Sequence, residues 1–141
     1  MARKRRFGIS LSEDLAEKLD SICTVLKVTR SSFIQDTVQQ GINSHMHYLS
    51  EHNCEGIIIA IWPSSWERGS EVEKIMEKFS EIVTFNTHIH SYGKCVLLAS
   101  LKGSSKTIAS LHTELKKLGK ISVQYIPFNE MMNSEEAQIN R

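Results

Sequence analysis

The segment HIHSYGKC, residues 88–95, contains residue types that bind metal ions. His88 and His90 are two residues apart, so on a β-strand their side chains leave the same face. A short turn over residues 91–93 brings Cys95, at the start of the next strand, back toward His90. Two imidazoles and a thiolate suit Ni, Cu, Co or Zn and reject Mg and Ca. The spacing therefore predicts a transition-metal site; the alternative is two histidines on a solvated strand face and a small buried cysteine.

The N-terminal end has a different chemistry. Residues 3–6 are four consecutive basic side chains with no acidic residue near them, whereas the whole chain balances 17 Lys and Arg against 16 Asp and Glu. A local basic arm on a neutral body indicates contact with a polyanion, although such a run is also typical of a solvated tail.

The residues after the basic arm alternate in polarity. Apolar Phe7, Ile9 and Leu11 are separated by polar or small residues, which predicts a half-buried strand over 6–11. A lone strand needs a hydrogen-bonding neighbour, and the same strand of a second chain would make a two-stranded ribbon that fits the major groove of DNA. The side chains directed at the base edges would be Arg6, Gly8 and Ser10. The alternative is an ordinary edge strand in which Arg6 is a surface charge.

Two helices should follow this strand. Ser12 is a typical N-cap for a helix over 13–26, and Ser31 for a second helix that ends near residues 45–48. The start of the second helix offers free N–H groups and a positive dipole end to a phosphate of the DNA backbone. Arg30 and Ser31 lie at that point and are predicted to contact DNA.

The apolar pattern changes character after residue 48. We divide the chain into a ribbon–helix–helix domain (1–48), a linker (49–55), a strand-rich domain (56–128) and a tail without periodicity (129–141). The strand-rich domain reads as strand, helix, strand, strand, helix, strand over 56–62, 70–79, 82–90, 94–101, 104–118 and 120–128. This βαββαβ order is the ferredoxin-like arrangement, so the fold class is α+β. Its strands are apolar on both faces, and a partner's sheet is the simplest cover for the face that two helices cannot reach.

The chain over residues 6–128 resembles the nickel-responsive regulators (NikR type), which join a ribbon–helix–helix domain to a ferredoxin-like, ACT-type metal-binding domain. The resemblance is carried by RFGISLSEDL, TRSSFIQD, GIIIAIW, HIHSYGKC and LKG. It implies that Arg6, Gly8 and Ser10 contact bases and that the C-terminal domains build a tetramer. It also implies that the two histidines and the cysteine of HIHSYGKC bind nickel together with a third histidine from a neighbouring subunit.

This chain departs from the family at the third histidine, where it has Glu77, and it has no histidine between residues 53 and 87. Three histidines and one cysteine favour square-planar Ni(II), whereas a carboxylate suits a tetrahedral or higher-coordinate Zn or Co site. The predicted metal ligands are His88, His90, Cys95 and, in the fourth position, Glu77, with His112 as another candidate donor. The ion is nickel by resemblance, with zinc, cobalt or no metal as alternatives.

Together these features predict a cytoplasmic transcriptional regulator, repressor or activator, that binds a palindromic operator and is not an enzyme. One competing interpretation is that the ACT-type domain binds a small organic ligand. A second is an enzyme with Cys95 as nucleophile and His90 as base, but no acidic orienting residue is near them in sequence. A third is a toxin-neutralising ribbon–helix–helix protein, whose C-terminal segment is usually short and disordered.

Several classes of protein are disfavoured. No apolar stretch approaches the roughly 18 residues that span a bilayer, and the N-terminus has no apolar segment typical of a signal peptide. Three cysteines without a CxxC motif argue against a disulfide framework and favour reduced thiols. A further cluster falls in or near the linker and is predicted to be a solvated hinge rather than a soft-metal site. Its members are His45, His47, His52 and Cys54.

Overall fold

The computed structural model describes residues 3–128, so the tail assigned to residues 129–141 lies outside the described residues. The chain divides between Gln40 and Gly41 into two compact units, here called the N-terminal and the C-terminal unit. Within residues 3–128, no helix combines the length and the apolar character that a bilayer crossing requires.

The first helix of the N-terminal unit, α1, spans Glu13–Leu26, as the sequence predicts. Ser12 adopts an extended backbone and its Oγ accepts a hydrogen bond from the N–H of Leu15 at 3.3 Å, which is the action of an N-cap. The helix ends because Lys27 adopts a left-handed conformation, with φ of 56°, and its N–H bonds back to α1 carbonyls.

The second helix, α2, spans Arg30–Asn43, so its predicted start and end are both wrong. Ser31 is not the cap, because the hydroxyl of Thr29 accepts the N–H of Ser32 at 3.1 Å and the helix begins at Arg30, two residues before the start that a Ser31 cap predicts. At the other end, α2 stops at Asn43, and a short 3-10 turn over Met46–Tyr48 replaces the last predicted helical turn.

The strand predicted over 6–11 is not formed in the single chain. These residues join no helix or strand of the described part of the molecule, and Phe7 and Ile9 are 80% and 62% exposed. A strand is defined by its neighbour's hydrogen bonds, and the described residues provide none for this segment. The segment instead borders an apolar groove of about 400 Å³ in the N-terminal unit. The groove is lined by Ile9, Leu11, Leu15, Lys18, Leu19, Ile22, Phe33, Ile34, Thr37 and Val38.

The C-terminal unit contains a four-stranded antiparallel sheet with two helices. Its elements are β1 (Asn53–Pro63), α3 (Gly69–Lys78), β2 (Val83–Ser91), β3 (Lys94–Ser104), α4 (Ser105–Lys117) and β4 (Ser122–Pro127). The strand order is β2-β3-β1-β4, and the element order is the predicted one, so the α+β class is confirmed. β1 begins at Asn53, inside the predicted linker, because Cys54 is buried and pairs with Gly103 of β3.

One face of this sheet and the two helices enclose the core. Alternate residues of the central strands are buried against α3 and α4, among them Ile58, Ala60, Ala99 and Leu101, which are fully buried. The opposite face is also apolar but open: Phe85 and Ile89 are 59% and 51% exposed. The prediction that a partner's sheet covers this face stays a prediction.

Candidate functional site

The β2–β3 hairpin brings the predicted metal-binding residues together. Its tight turn is possible because Tyr92 and Gly93 both adopt positive φ, the pattern of a two-residue hairpin loop. The register sets His90 opposite Cys95, so both histidines share the helix-covered face with Cys95. One donor atom from each of His88, His90 and Cys95 lies within 4.8 Å of the other two.

The contacts within this group leave donor atoms available. Sγ of Cys95 lies 3.2 Å from Nδ1 of His90, and the rings of His88 and His90 stack with centroids 4.6 Å apart. Nε2 of His88 is buried, and no group in residues 3–128 forms a hydrogen bond with it. Buried polar atoms without a partner are rare in native proteins, because desolvation then goes uncompensated.

The donor set fits a transition metal. Imidazole and thiolate are the ligands that Zn, Ni, Co and Cu accept, and His88 contributes a ring whose Nε2 has no hydrogen-bond partner among the described residues. A metal ion could reach this group from solvent, because His90 is exposed, although Cys95 is buried against the core. Three protein donors leave at least one coordination position for another group.

A carboxylate that the sequence analysis did not single out contacts this group. Oε1 of Glu73, on α3, lies 3.4 Å from Nδ1 of His88. Val72 and Met76 hold this helix on the sheet by burying their side chains, which sets Glu73 beside the edge strand β2. The sequence signal is only that Glu73 follows a buried position of an amphipathic helix.

Glu77, the predicted fourth ligand, lies one helical turn after Glu73. It borders a cleft of about 420 Å³ that His88 also lines, but its carboxylate is not in the group of donor atoms within 4.8 Å. The cleft is lined by Trp62, Val72, Glu73, Met76, Glu77, Ser80, Val83, Asn86, His88 and Leu97. His112, the other candidate donor, contacts His47 instead: their ring nitrogens are 2.9 Å apart.

The linker cluster is not the solvated hinge that the sequence predicts. His47 and Cys54 are 3% and 4% exposed, so both are part of the packed C-terminal unit. The prediction of a solvated hinge was wrong because the 3-10 turn packs on α4 and because β1 begins at Asn53. Neither feature has a signal in the local sequence.

The predicted DNA-contacting residues all lie at the surface of the single chain. Arg6, Gly8 and Ser10 are exposed in the segment before α1, and Ser31 is exposed in the first turn of α2. Arg30 already has a partner, since its Nη2 lies 2.7 Å from Oδ2 of Asp20 and its Nε bonds to the other carboxylate oxygen. This two-point ion pair links α1 to α2 and raises the pKa of Arg30.

Comparison with known proteins shows a distant relationship to named regulators. A protein of Lawsonia intracellularis called "putative nickel-responsive regulator" is 27% identical over 139 residues, covering 92% of this chain and 98% of that protein. A protein of the same name from Pyrococcus furiosus is 27% identical over 119 residues, covering 80% and 84%. These names describe regulators rather than enzymes. No family model matches the chain.

A solved structure supports the fold alone. An uncharacterized protein from Thermotoga maritima superposes with a TM-score of 0.52 at 16% identity, covering 55% of this chain and 99% of that protein. The chain is therefore a distant relative of proteins named "putative nickel-responsive regulator", about half of it shares a fold with a solved protein, and it has a His-His-Cys group that fits a transition metal.

Proposed function

We propose that this protein is a transcriptional regulator that binds DNA through its N-terminal unit and a transition metal through its C-terminal unit. The observation that carries the proposal is the grouping of His88, His90 and Cys95 in a chain that aligns almost end to end with named metal-responsive regulators. The two observations are stronger together than apart. Groups of His and Cys also occur as structural contacts, and relatives at 27% sequence identity are only distantly related.

The N-terminal unit is proposed to be a ribbon–helix–helix domain that functions as a dimer. Support comes from segment 6–11, whose apolar side chains are exposed in one chain and border an apolar groove between α1 and α2. Pairing with the same segment of a second copy would satisfy its backbone and cover Phe7 and Ile9. Arg6, Gly8 and Ser10 would then point outward to the base edges of a palindromic operator.

The C-terminal unit is proposed to be an ACT-type, ferredoxin-like domain that joins two such dimers into a tetramer. The open apolar face of its sheet, with Phe85 and Ile89 exposed, supports association, because contiguous apolar surface of this kind is typical of interfaces. The similar proteins come from prokaryotes, where a regulator that binds chromosomal DNA works in the cytoplasm. We propose the same location for this protein.

His88, His90 and Cys95 would hold the metal, with a carboxylate of α3, Glu73 or Glu77, nearby for a further position. The relatives' names favour nickel, whereas two imidazoles, a thiolate and a carboxylate favour zinc or cobalt. A metal bound there supplies a fixed link between β2 and β3 and a positive charge at the edge of the sheet.

The experiment is a fluorescence-anisotropy titration of operator-containing DNA with chelator-treated protein, repeated with Ni(II), Zn(II) and Co(II). We expect salt-dependent binding, strengthened by at least one of these ions in the wild type and by none in His88→Ala/His90→Ala. An Arg6→Ala variant should lose binding under every condition. Equal DNA affinity in all metal conditions would contradict control by a metal. The absence of any salt-sensitive DNA binding would contradict the proposal that the protein is a transcriptional regulator.

A small organic effector is the second candidate, and the 420 Å³ cleft beside His88 favours it. Co(II) titration separates the two: if the metal is the effector, His88→Ala/His90→Ala should abolish metal binding at the Cys95 site, followed as thiolate-to-cobalt absorption. Unchanged metal affinity in that variant would instead leave the cleft as the regulatory site.

A further inference from the structure

A second group of histidines lies in the C-terminal unit, where the 3-10 turn packs on α4. His47 of the turn and His112 of the helix are 3% and 1% exposed, although histidine is usually only partly buried. Nε2 of His47 lies 2.9 Å from Nδ1 of His112, with the ring centroids 5.1 Å apart. Two neutral imidazoles in such a contact share one proton between them.

The other atoms of this group have no partners. Nδ1 of His47 and Nε2 of His112 are both buried, and no described residue forms a hydrogen bond with either of them. The Tyr125 ring packs edge-on against His47, with centroids 4.9 Å apart. Two such nitrogens on neighbouring rings are unusual, since nearly all buried polar groups in folded proteins are satisfied.

Both imidazoles are neutral at neutral pH. Burial, together with the neighbouring charges of Lys116 and His45, lowers the pKa of His47 to about 4 and that of His112 to about 3. A neutral imidazole is the form that ligates a metal. The neighbouring thiol of Cys54 is a poorer ligand, because burial raises its pKa and keeps it protonated.

A third imidazole lies beside the pair. The ring of His45 stacks on that of His112 with centroids 5.4 Å apart. Nδ1 of His45 is 2.6 Å from the carbonyl of Gly41, so the proton is on Nδ1 and Nε2 is the acceptor. That Nε2 accepts a hydrogen bond from Nζ of Lys116 at 3.1 Å, and Lys116 is exposed and free to swing away.

We propose that His47 and His112 form a second transition-metal site through Nε2 of His47 and Nδ1 of His112. The donor atoms of His45 and of this pair do not all lie within 4.8 Å of one another, so His45 would join as a third ligand only after its ring rotates. Imidazole nitrogens about 2.0–2.1 Å from a tetrahedral Zn(II) lie roughly 3.3 Å from each other, so the observed 2.9 Å contact needs only a small opening. An all-imidazole set suits Zn(II), Co(II), Ni(II) and Cu(II). The site is separate from the His88 group and does not rest on the proposed function.

The test uses full-length protein carrying His88→Ala/His90→Ala, titrated with Co(II) and followed by absorption spectroscopy and metal analysis. We expect one Co(II) per chain, with the visible bands of a nitrogen-ligated ion and no thiolate-to-cobalt absorption. Adding His47→Gln should abolish this binding, whereas adding His52→Gln, a change to a nearby histidine outside the pair, should leave it intact. In the wild-type protein, thiolate-to-cobalt absorption reports metal at the Cys95 site. The test can therefore contradict one of the two proposed metal sites without contradicting the other.

A surface variant tests the same site without removing a buried side chain. Lys116→Gln removes a positive charge and releases Nε2 of His45, so Co(II) should bind the second site about three- to tenfold more tightly. No Co(II) bound in the His88→Ala/His90→Ala background at micromolar free ion would overturn the proposal. Binding that survives His47→Gln, or that shows thiolate absorption, would overturn it as well.

Discussion

Oε1 of Glu73 lies 3.4 Å from Nδ1 of His88, across the contact between α3 and the edge strand β2. A carboxylate on this side of the ring keeps the imidazole proton on Nδ1 and leaves the lone pair on Nε2. Nε2 is the nitrogen of His88 that is buried without a hydrogen-bond partner among residues 3–128. If His88 binds the metal through Nε2, as proposed, Glu73 is placed to orient its ring.

The first prediction follows from this contact. Glu73→Gln should weaken Zn(II) or Ni(II) binding at the His88 site by about tenfold or more, because the amide orients the ring less well and adds no negative charge. Calorimetric or chelator-competition titration measures the change. Glu77→Gln is the matched control on the same helix, and we expect a smaller loss. A larger loss for Glu77→Gln would make Glu77 the ligand, as the resemblance to the nickel-responsive regulators implies.

The second prediction concerns the ion pair between Asp20 and Arg30 in the N-terminal unit. Asp20→Asn should tighten DNA binding at low salt, because the guanidinium of Arg30 is then free to contact a phosphate. The slope of log affinity against log salt concentration should become steeper by about one unit. Anisotropy titrations at several salt concentrations give that slope. Asp14→Asn changes the same charge on the same helix, where the partner is Lys18, and serves as control. If both variants behave alike, Arg30 only links the two helices.

The third prediction concerns stability against pH in metal-free protein. His47 and His112 have pKa values of about 4 and 3 when folded, below the ordinary 6.5, so the unfolded chain binds more protons as the pH falls. Their contribution to stability is complete above pH 6.5 and declines from there toward pH 3. At pH 5 the unfolding free energy should be lower than at pH 7 by about 2–4 kcal/mol.

Urea unfolding in the presence of a chelator at the two pH values measures this difference. His112→Gln should reduce it by roughly half, even though the variant is less stable at pH 7. His52→Gln is the control, since His52 is a nearby histidine outside the pair. A pH dependence that is the same in His112→Gln and in the wild type would show that other groups are responsible.

The sequence predicted local elements better than distant contacts. The strands and helices of the C-terminal unit, and α1, followed from apolar periodicity, which is a local property. The start of α2 was misplaced because Thr29 and Ser31 are both good caps, and only the structure shows that Thr29 accepts the N–H of Ser32. His88, His90 and Cys95 were predicted together because a short hairpin joins them.

Contacts between residues distant in sequence had no such signal. Glu73 reaches His88 only because α3 crosses the sheet edge, and His47 meets His112 across 65 residues of chain. The predicted strand over 6–11 failed for a different reason. Its pairing partner would be a second molecule, so one chain leaves the segment without a ladder of hydrogen bonds.

The fourth prediction tests that second molecule at the N-terminal unit. Ile9→Asp should break the proposed dimer, because a carboxylate would be buried against the groove that Leu15 and Phe33 help to line. Light scattering after size exclusion should show half the wild-type mass, and operator binding should fall by at least a hundredfold. Gly8→Ala is less informative here, since nothing lies within 4 Å of the position where its Cβ would be.

The fifth prediction tests the open face of the sheet in the C-terminal unit. Phe85→Asp places a charge on a face where Phe85 is 59% exposed in one chain, so the folded subunit should tolerate it. If two dimers associate through this face as proposed, the wild type should form a tetramer, and the variant should remain a dimer with half that mass. Thr84→Asp is an unsuitable control because its hydroxyl bonds to Ser100. Lys94→Asp is the control, because it also introduces an aspartate on the sheet but at the hairpin end of β3, away from Phe85. This variant should have the same oligomer mass as the wild type. A Phe85→Asp protein with the mass of the wild type would mean that this apolar face has another partner.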